Sequence, residues 1–234
     1  MTPITTSPIR TLAEYTRLSA PPTPPKAQSP PPAMTRADIR RLRTQNFYLT
    51  PKRGTERWLT GYSDASFKPD APEGGGGWGC WVRDSHTRIL RSGPCPDWVT
   101  GATDAELCGV FATVHTALTR LDSAWANILV IKLDNQDVAR WFGWQYSDSA
   151  THLPKRPEQI DLVLRALQAA TDKQIRLVVT WVKGHRGASK DTSAYLNTQV
   201  DRMAGAARRN RQNTVVTMSA KERAPSQLNP GAIP

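Results

Sequence analysis

Residues 127–142 read NILVIKLDNQDVARWF. From Ile128 to Leu133 the run is nearly all apolar, as expected of a strand buried in the middle of a sheet. Asp134 ends that run, and the residues after it open a helix at once. A strand passing straight into a helix puts a carboxylate at the strand's carboxyl end, where a βα crevice opens.

Upstream, residues 57–68 (RWLTGYSDASFK) set Trp58, Thr60, Tyr62 and Asp64 on one side of an extended run. Gly74 to Gly77 read as a flexible turn. GWGCWVRD follows, with Trp78, Cys80 and Val82 alternating as in a second strand. Asp84 to Thr87 make a turn and RILRSG a third short strand, completing an antiparallel meander. The period then changes: Leu107, Val110, Phe111, Val114, Leu118 and Leu121 share one helix face starting near Thr103. Downstream, Pro157 stands at a first helical position ahead of Ile160, Val163, Leu164 and Leu167. IRLVVTWVKG (175–184) is another buried strand, and Leu196, Val200, Met203, Ala204 and Ala207 line a last helix. The order β-β-β-α-β-α-α-β-α predicts an α/β domain, a mixed sheet with helices packed on it.

The chain has 234 residues, with 31 Lys and Arg against 20 Asp and Glu, a net charge of +11. Such an excess suggests a polyanionic partner, most simply nucleic acid, or basic tails that only aid solubility. It is unevenly spread: +7 in residues 1–60, zero in 61–207 and +4 in 208–234. Ten of the 19 prolines also fall in residues 1–60. The expected organisation is a disordered Pro/Arg-rich leader (1–55), a folded domain (56–209) and a disordered basic tail (210–234), with a short helix around Thr35–Thr44. No apolar run approaches the ~18 residues of a membrane span, and no secretory signal core is present. Three cysteines without a C-x-x-C pair argue against a disulfide framework and a zinc site. An intracellular monomer, in cytoplasm or nucleus, is expected. Arg10, Arg17 and the many Ser and Thr before residue 40 are also compatible with an organelle transit peptide.

Four acids sit at telling places: Asp64 mid-strand, Glu106 in the first turn of its helix, Asp134 at the strand end, and Asp201 beside Val200 in the last helix. Each has a duller reading. Glu106 follows Thr103 in a T-x-x-E capping box, Asp134 is placed to cap the next helix, and Asp201 is placed to be solvated. Asp64 is hardest to dismiss, because Asp disfavours strand interiors. Converging carboxylates with no Lys to match would repel, and two divalent cations would relieve the repulsion. Oxygen-only ligands favour magnesium or manganese. WVKGHRG (181–187) then presents His185 on a loop, suited to moving protons. Asn197 lies one helical turn before Asp201.

Together these residues resemble the ribonuclease H family. YSDAS with Asp64, TDAELCGV with Glu106, LVIKLDNQDVARWF with Asp134 and NTQVDRMAGAA with Asp201 are similar to its four carboxylate motifs, in chain order. The resemblance runs from about Trp58 to Arg208. It implies a five-stranded mixed sheet of ribonuclease H type, three antiparallel strands then two parallel ones, flanked by helices. It implies a metal-dependent hydrolase, an endonuclease that cuts the RNA strand of an RNA–DNA hybrid to leave 3′-hydroxyl and 5′-phosphate ends. Two Mg2+ ions are implied, Mn2+ being an alternative, with Asp64, Glu106, Asp134 and Asp201 as ligands and His185 as the loop histidine. Substrate contacts are expected from Ser66, Asn135, Gln136 and Asn197. Residues 141–157 (WFGWQYSDSATHLPKRP) resemble a shortened basic handle offering Trp141, Trp144, Lys155 and Arg156, although the tryptophans read equally well as core. The long loop between His185 and Asp201 is similar to those of retroviral and retroelement domains. Departures are Ala65, where the family often has Gly, and Gly101 and Ala102, where it often has Thr and Asn. These leave open a related two-metal nuclease with another nucleic-acid substrate, or an inactive binding module of the same fold.

Overall fold

A computed structural model describes residues 35–70, 75–121, 123–143, 152–183 and 192–219. The elements are α1 (Arg36–Tyr48), β1 (Trp58–Phe67), β2 (Gly76–Arg83), β3 (Thr87–Pro94), α2 (Ala102–Arg120) and β4 (Ile128–Leu133). α3 (Gln136–Trp141), α4 (Pro157–Asp172), β5 (Arg176–Trp181), α5 (Thr192–Asn210) and β6 (Thr214–Ser219) follow. The sheet order is β5-β4-β1-β2-β3-β6. β1 to β3 form the expected antiparallel meander, and β4 and β5 run parallel to β1.

The sheet has six strands, not five. β6 lies in the tail expected to be without structure, and pairs antiparallel with β3 from Thr87↔Ser219 to Ser92↔Thr214. Its Thr-Val-Val-Thr run has strand-forming residues, and it covers backbone groups that would otherwise form an open edge. Gly74 to Gly77 are not simply a turn either, since Gly76 and Gly77 are paired strand residues of β2.

Within the leader, α1 is also ordered, and it is longer than the short helix expected there. Thr35 and Asp38 cap it reciprocally, Asp38 accepting from the Thr35 amide at 3.0 Å. Ile39 and Leu42 are buried in the main core. Asn46 then works as a backbone clamp on the β5 side. Its Nδ2 donates to the Ile175 carbonyl at 2.9 Å, and its Oδ1 accepts from the Leu177 amide at 2.8 Å.

Helices cover both faces of the sheet. α2 lies on the face to which Gly61 and Ser63 point, and α5 on the face of Tyr62 and Gly79. This follows from the two-residue period of a strand. The main core lies on the α2 face, built from Leu59, Leu129, Ile131 and Leu133 of the sheet with Val110, Val163 and Leu167 of the helices. No helix among the described residues is long and apolar enough to cross a membrane.

Candidate active site

The strand register builds half the site. Tyr62 of β1 pairs with Lys132 of β4 in parallel. Two residues further along each chain stand Asp64 and Asp134, so parallel pairing sets these carboxylates side by side on one face. Glu106 arrives from α2. At Gly109, one turn on, an added Cβ would lie 2.5 Å from Ser63 Oγ. The missing side chain therefore lets α2 settle on β1 with Glu106 against Asp64. Ligand oxygens of Asp64, Glu106 and Asp134 all lie within 4.8 Å of one another.

The fourth acid comes on α5. That helix rests on β2 at Gly77 and Gly79, where a Cβ would run into the backbone of Ala204, Arg208 and Val200. Asp64 pairs with Gly79, so this approach sets Asp201, next to Val200, beside Asp64. Asp201 is exposed and stands outside the tight group of three, yet its charge is felt at Asp64.

Electrostatics show the strain of the cluster. Burial, then the charges of Asp134 and Asp201, push the Asp64 carboxyl up to about 7, although the Ala65 amide donates to its Oδ1 at 2.7 Å. Burial and the charges of Asp64 and Asp134 also hold Glu106 well above the usual carboxylate range. Glu106 Oε2 is buried with no hydrogen-bond partner. Neither Asp64 nor Glu106 forms an ion pair with Lys or Arg among the described residues. An orphaned buried oxygen in an all-oxygen cluster suits a hard divalent cation, which would supply the missing positive charge. Asp64, Glu106 and Asp134 would hold it.

The capping alternatives are answered by the geometry. α2 has Gly101 at its N-cap and no side-chain cap, so Thr103 and Glu106 form no capping box. Asn135, not Asp134, caps α3, accepting from the Val138 amide at 3.0 Å. The Asp134 carbonyl accepts from Trp181 Nε1 at 3.0 Å.

The expected substrate contacts divide. Ser66 Oγ accepts from Arg208 Nε at 3.3 Å, on the α5 side of the sheet. Gln136 and Lys155 are exposed, and Asn197 is partly buried, with its Oδ1 unpartnered. Trp141 is corrected: it is 8% exposed and belongs to the main core, because α3 is one short helix whose apolar side closes on the sheet. Arg156 is engaged within the fold. It meets Asp104 at 2.6 Å, Thr100 Oγ1 at 2.8 Å and the Trp98 carbonyl at 3.0 Å. Trp144 and His185 lie outside the described residues.

Sequence reasoning missed two supports of the site. Asp104, two residues before Glu106, is buried and accepts from Thr100, Arg156 and Gln159, which fixes the start of α2. Gly109 is the other; a glycine inside a helix costs about 1 kcal/mol against Ala, and that is the signal of a close approach.

The RNase H family matches residues 56–209. The chain belongs to the RNase H family. No curated protein matches the chain. Among solved structures, LC9-RNase H1, a type 1 RNase H with the type 2 active-site motif, is 18% identical with a TM-score of 0.51. That likeness covers 70% of this chain and 78% of LC9-RNase H1 and shows the fold. LC11-RNase H1, solved in complex with RNA/DNA hybrid, is 13% identical with a TM-score of 0.49, covering 65% of this chain and 97% of that one. The prototype foamy virus protease–reverse transcriptase is 16% identical with a TM-score of 0.45, over 68% of this chain. The chain spans only 22% of that viral protein's length. Membership of the RNase H family supports a nuclease acting on RNA–DNA hybrids, and the family depends on divalent metal.

Proposed function

We propose that the chain is an endoribonuclease that cleaves the RNA strand of RNA–DNA hybrids with two divalent cations, Mg2+ or Mn2+, leaving 3′-hydroxyl and 5′-phosphate ends. The observation that carries this is the buried carboxylate group. Asp64, Glu106 and Asp134 converge within 4.8 Å on the sheet of this family, and Glu106 Oε2 has no partner. When bound, such a cation pair would activate a water and neutralise charge on the departing oxygen.

The chain's own residues do the rest. Parallel pairing and the Gly109 contact keep the three carboxylates in place without side-chain rearrangement. The Ala65 amide fixes one oxygen of Asp64. Asp201, exposed at the rim, would complete the ligand set. Glu106 would also meet the ribose 2′-hydroxyl, the group that distinguishes RNA from DNA. Arg208 orients Ser66, and Asn197 Oδ1 is an acceptor in need of a donor such as a nucleotide hydroxyl. His185 would carry a proton away from the reaction. The protein would act as an intracellular monomer on hybrid.

The test is an end-labelled RNA–DNA hybrid with magnesium, beside duplex RNA and duplex DNA, with product ends mapped. RNA-strand products with 5′-phosphate and 3′-hydroxyl ends, from the hybrid alone, are expected. Cleavage of duplex DNA would overturn hybrid specificity, and no cleavage of any substrate would favour the binding-module reading.

A further inference from the structure

A groove of about 810 Å³ lies between the outer side of α2, the start of α4 and the exposed parts of β2 and β3. Three aromatic rings form its walls: Trp78, Trp98 and Phe111. Each carries a guanidinium over its face: Arg91 over Trp78 at 6.0 Å, Arg156 over Trp98 at 5.8 Å and Arg165 over Phe111 at 5.0 Å. Three rings, packed on the core on one side and each covered by an arginine, present flat guanidinium planes on which a base can stack.

The groove's lining sets Arg91 and Arg165 against Glu158 and Asp161. Arg156 meets Asp104 at 2.6 Å and Glu158 at 3.7 Å, and Arg165 meets Asp161 at 3.4 Å, so Arg91 is the cation left to meet a phosphate. Arg91 has only the Thr116 hydroxyl at 3.1 Å and no ion pair among the described residues. Burial, then Arg91, Arg120 and Arg165, hold His115 below the usual imidazole range, which registers the local positive field.

We propose that this groove is a binding site for single-stranded nucleic acid, whose bases stack on the arginine-covered rings of Trp98, Phe111 and Trp78 while its phosphates meet Arg91 and Arg165. Stacking contributes without regard to base identity, since every base has a π-face, and the cations supply salt-dependent affinity. An apolar peptide would use the rings but leave Arg91 without a counterion. The proposal extends the nuclease reading and rests on it only for the class of ligand. A strand held here would be a single-stranded extension of a duplex engaged elsewhere on the protein.

The test uses the full chain in EDTA with a fluorescein-labelled, twelve-nucleotide oligothymidylate, read by anisotropy and by quenching of tryptophan fluorescence. Wild type is expected to bind with quenching. Phe111→Ala is expected to weaken binding about tenfold. Arg165→Glu is expected to weaken it at least as much and lower the log–log salt slope by about 1 or more. Arg165 has a 55% exposed side chain, so its variant does not depend on core folding. Both variants should cleave blunt hybrid with unchanged kcat. Unquenched binding, or wild-type affinity in Arg165→Glu, would overturn the site, as would preference for a proline-rich peptide over the oligonucleotide. If hybrid is never cleaved yet these variants lose oligonucleotide, the nuclease reading fails and this one stands.

Discussion

Asp64 stands at the centre of the proposed chemistry, and its position in the fold is unfavourable. An aspartate inside a strand, nearly buried beside two other acids, keeps its proton up to about pH 7 in the metal-free fold. In the unfolded chain it loses that proton near pH ~4. Between these values the folded state binds more protons than the unfolded one, so stability falls as pH rises. The contribution is fully present below about pH 4 and gone above about 7. Melting temperature in EDTA is therefore expected to drop from pH 5 to pH 8, and the drop should flatten in Asp64→Asn. Magnesium should restore most stability at the alkaline end, because binding competes with protons. Glu106→Gln removes the same burden and is expected to raise the metal-free melting temperature by a few degrees, on the order of 1 kcal/mol, while abolishing the magnesium effect. Both are checked by thermal denaturation. These acids were legible because their types clash with their places: Asp in a strand, Asp at a strand's carboxyl end. Asp104 was not, because its partner Arg156 lies 52 residues away and only the folded chain joins them.

At the scale of elements, long apolar periods were legible and docking pieces were not. β4, β5 and α2 each show their burial in a run of side chains. α1 shows little, with Ile39 and Leu42 among arginines, and Asn46 adds its clamp on the β5 side to their burial. Asn46→Ala would leave the Ile175 carbonyl and Leu177 amide short of partners in a buried place, and is expected to cost about 2 kcal/mol in urea unfolding. β6 was hidden for another reason: a six-residue edge strand gains its identity only from its partner, β3, more than 120 residues earlier in the chain. Ending the chain at Arg211 exposes the β3 edge, and light scattering should show self-association absent from the full chain. Gly79→Ala tests how α5 is seated. A Cβ there meets the Val200 carbonyl, so α5 must shift. Loss of activity larger than the loss of stability is expected, since Asp201 shifts with it.

For the whole molecule, the basic excess is distributed differently from its first appearance. Of the ten Lys and Arg in residues 1–60, only three precede residue 35, whereas four lie on α1. Much of the leader's charge thus belongs to α1. Removing residues 1–34 takes away Arg10, Arg17 and Lys26. The log–log salt slope for hybrid binding should then fall by no more than about 3. Residues 61–207 are neutral overall, so divalent cations at their carboxylates would be what makes the site attractive to phosphate. The fold and the proposed chemistry meet at that carboxylate cluster. The most direct measurement is single-turnover cleavage of an RNA–DNA hybrid over a magnesium titration, for wild type and Asp134→Asn. Magnesium-dependent RNA cleavage by wild type, reduced by about a thousandfold or more in Asp134→Asn at every magnesium concentration, is the expected result. Equal rates in the two proteins, or no magnesium-dependent cleavage by wild type, would contradict it.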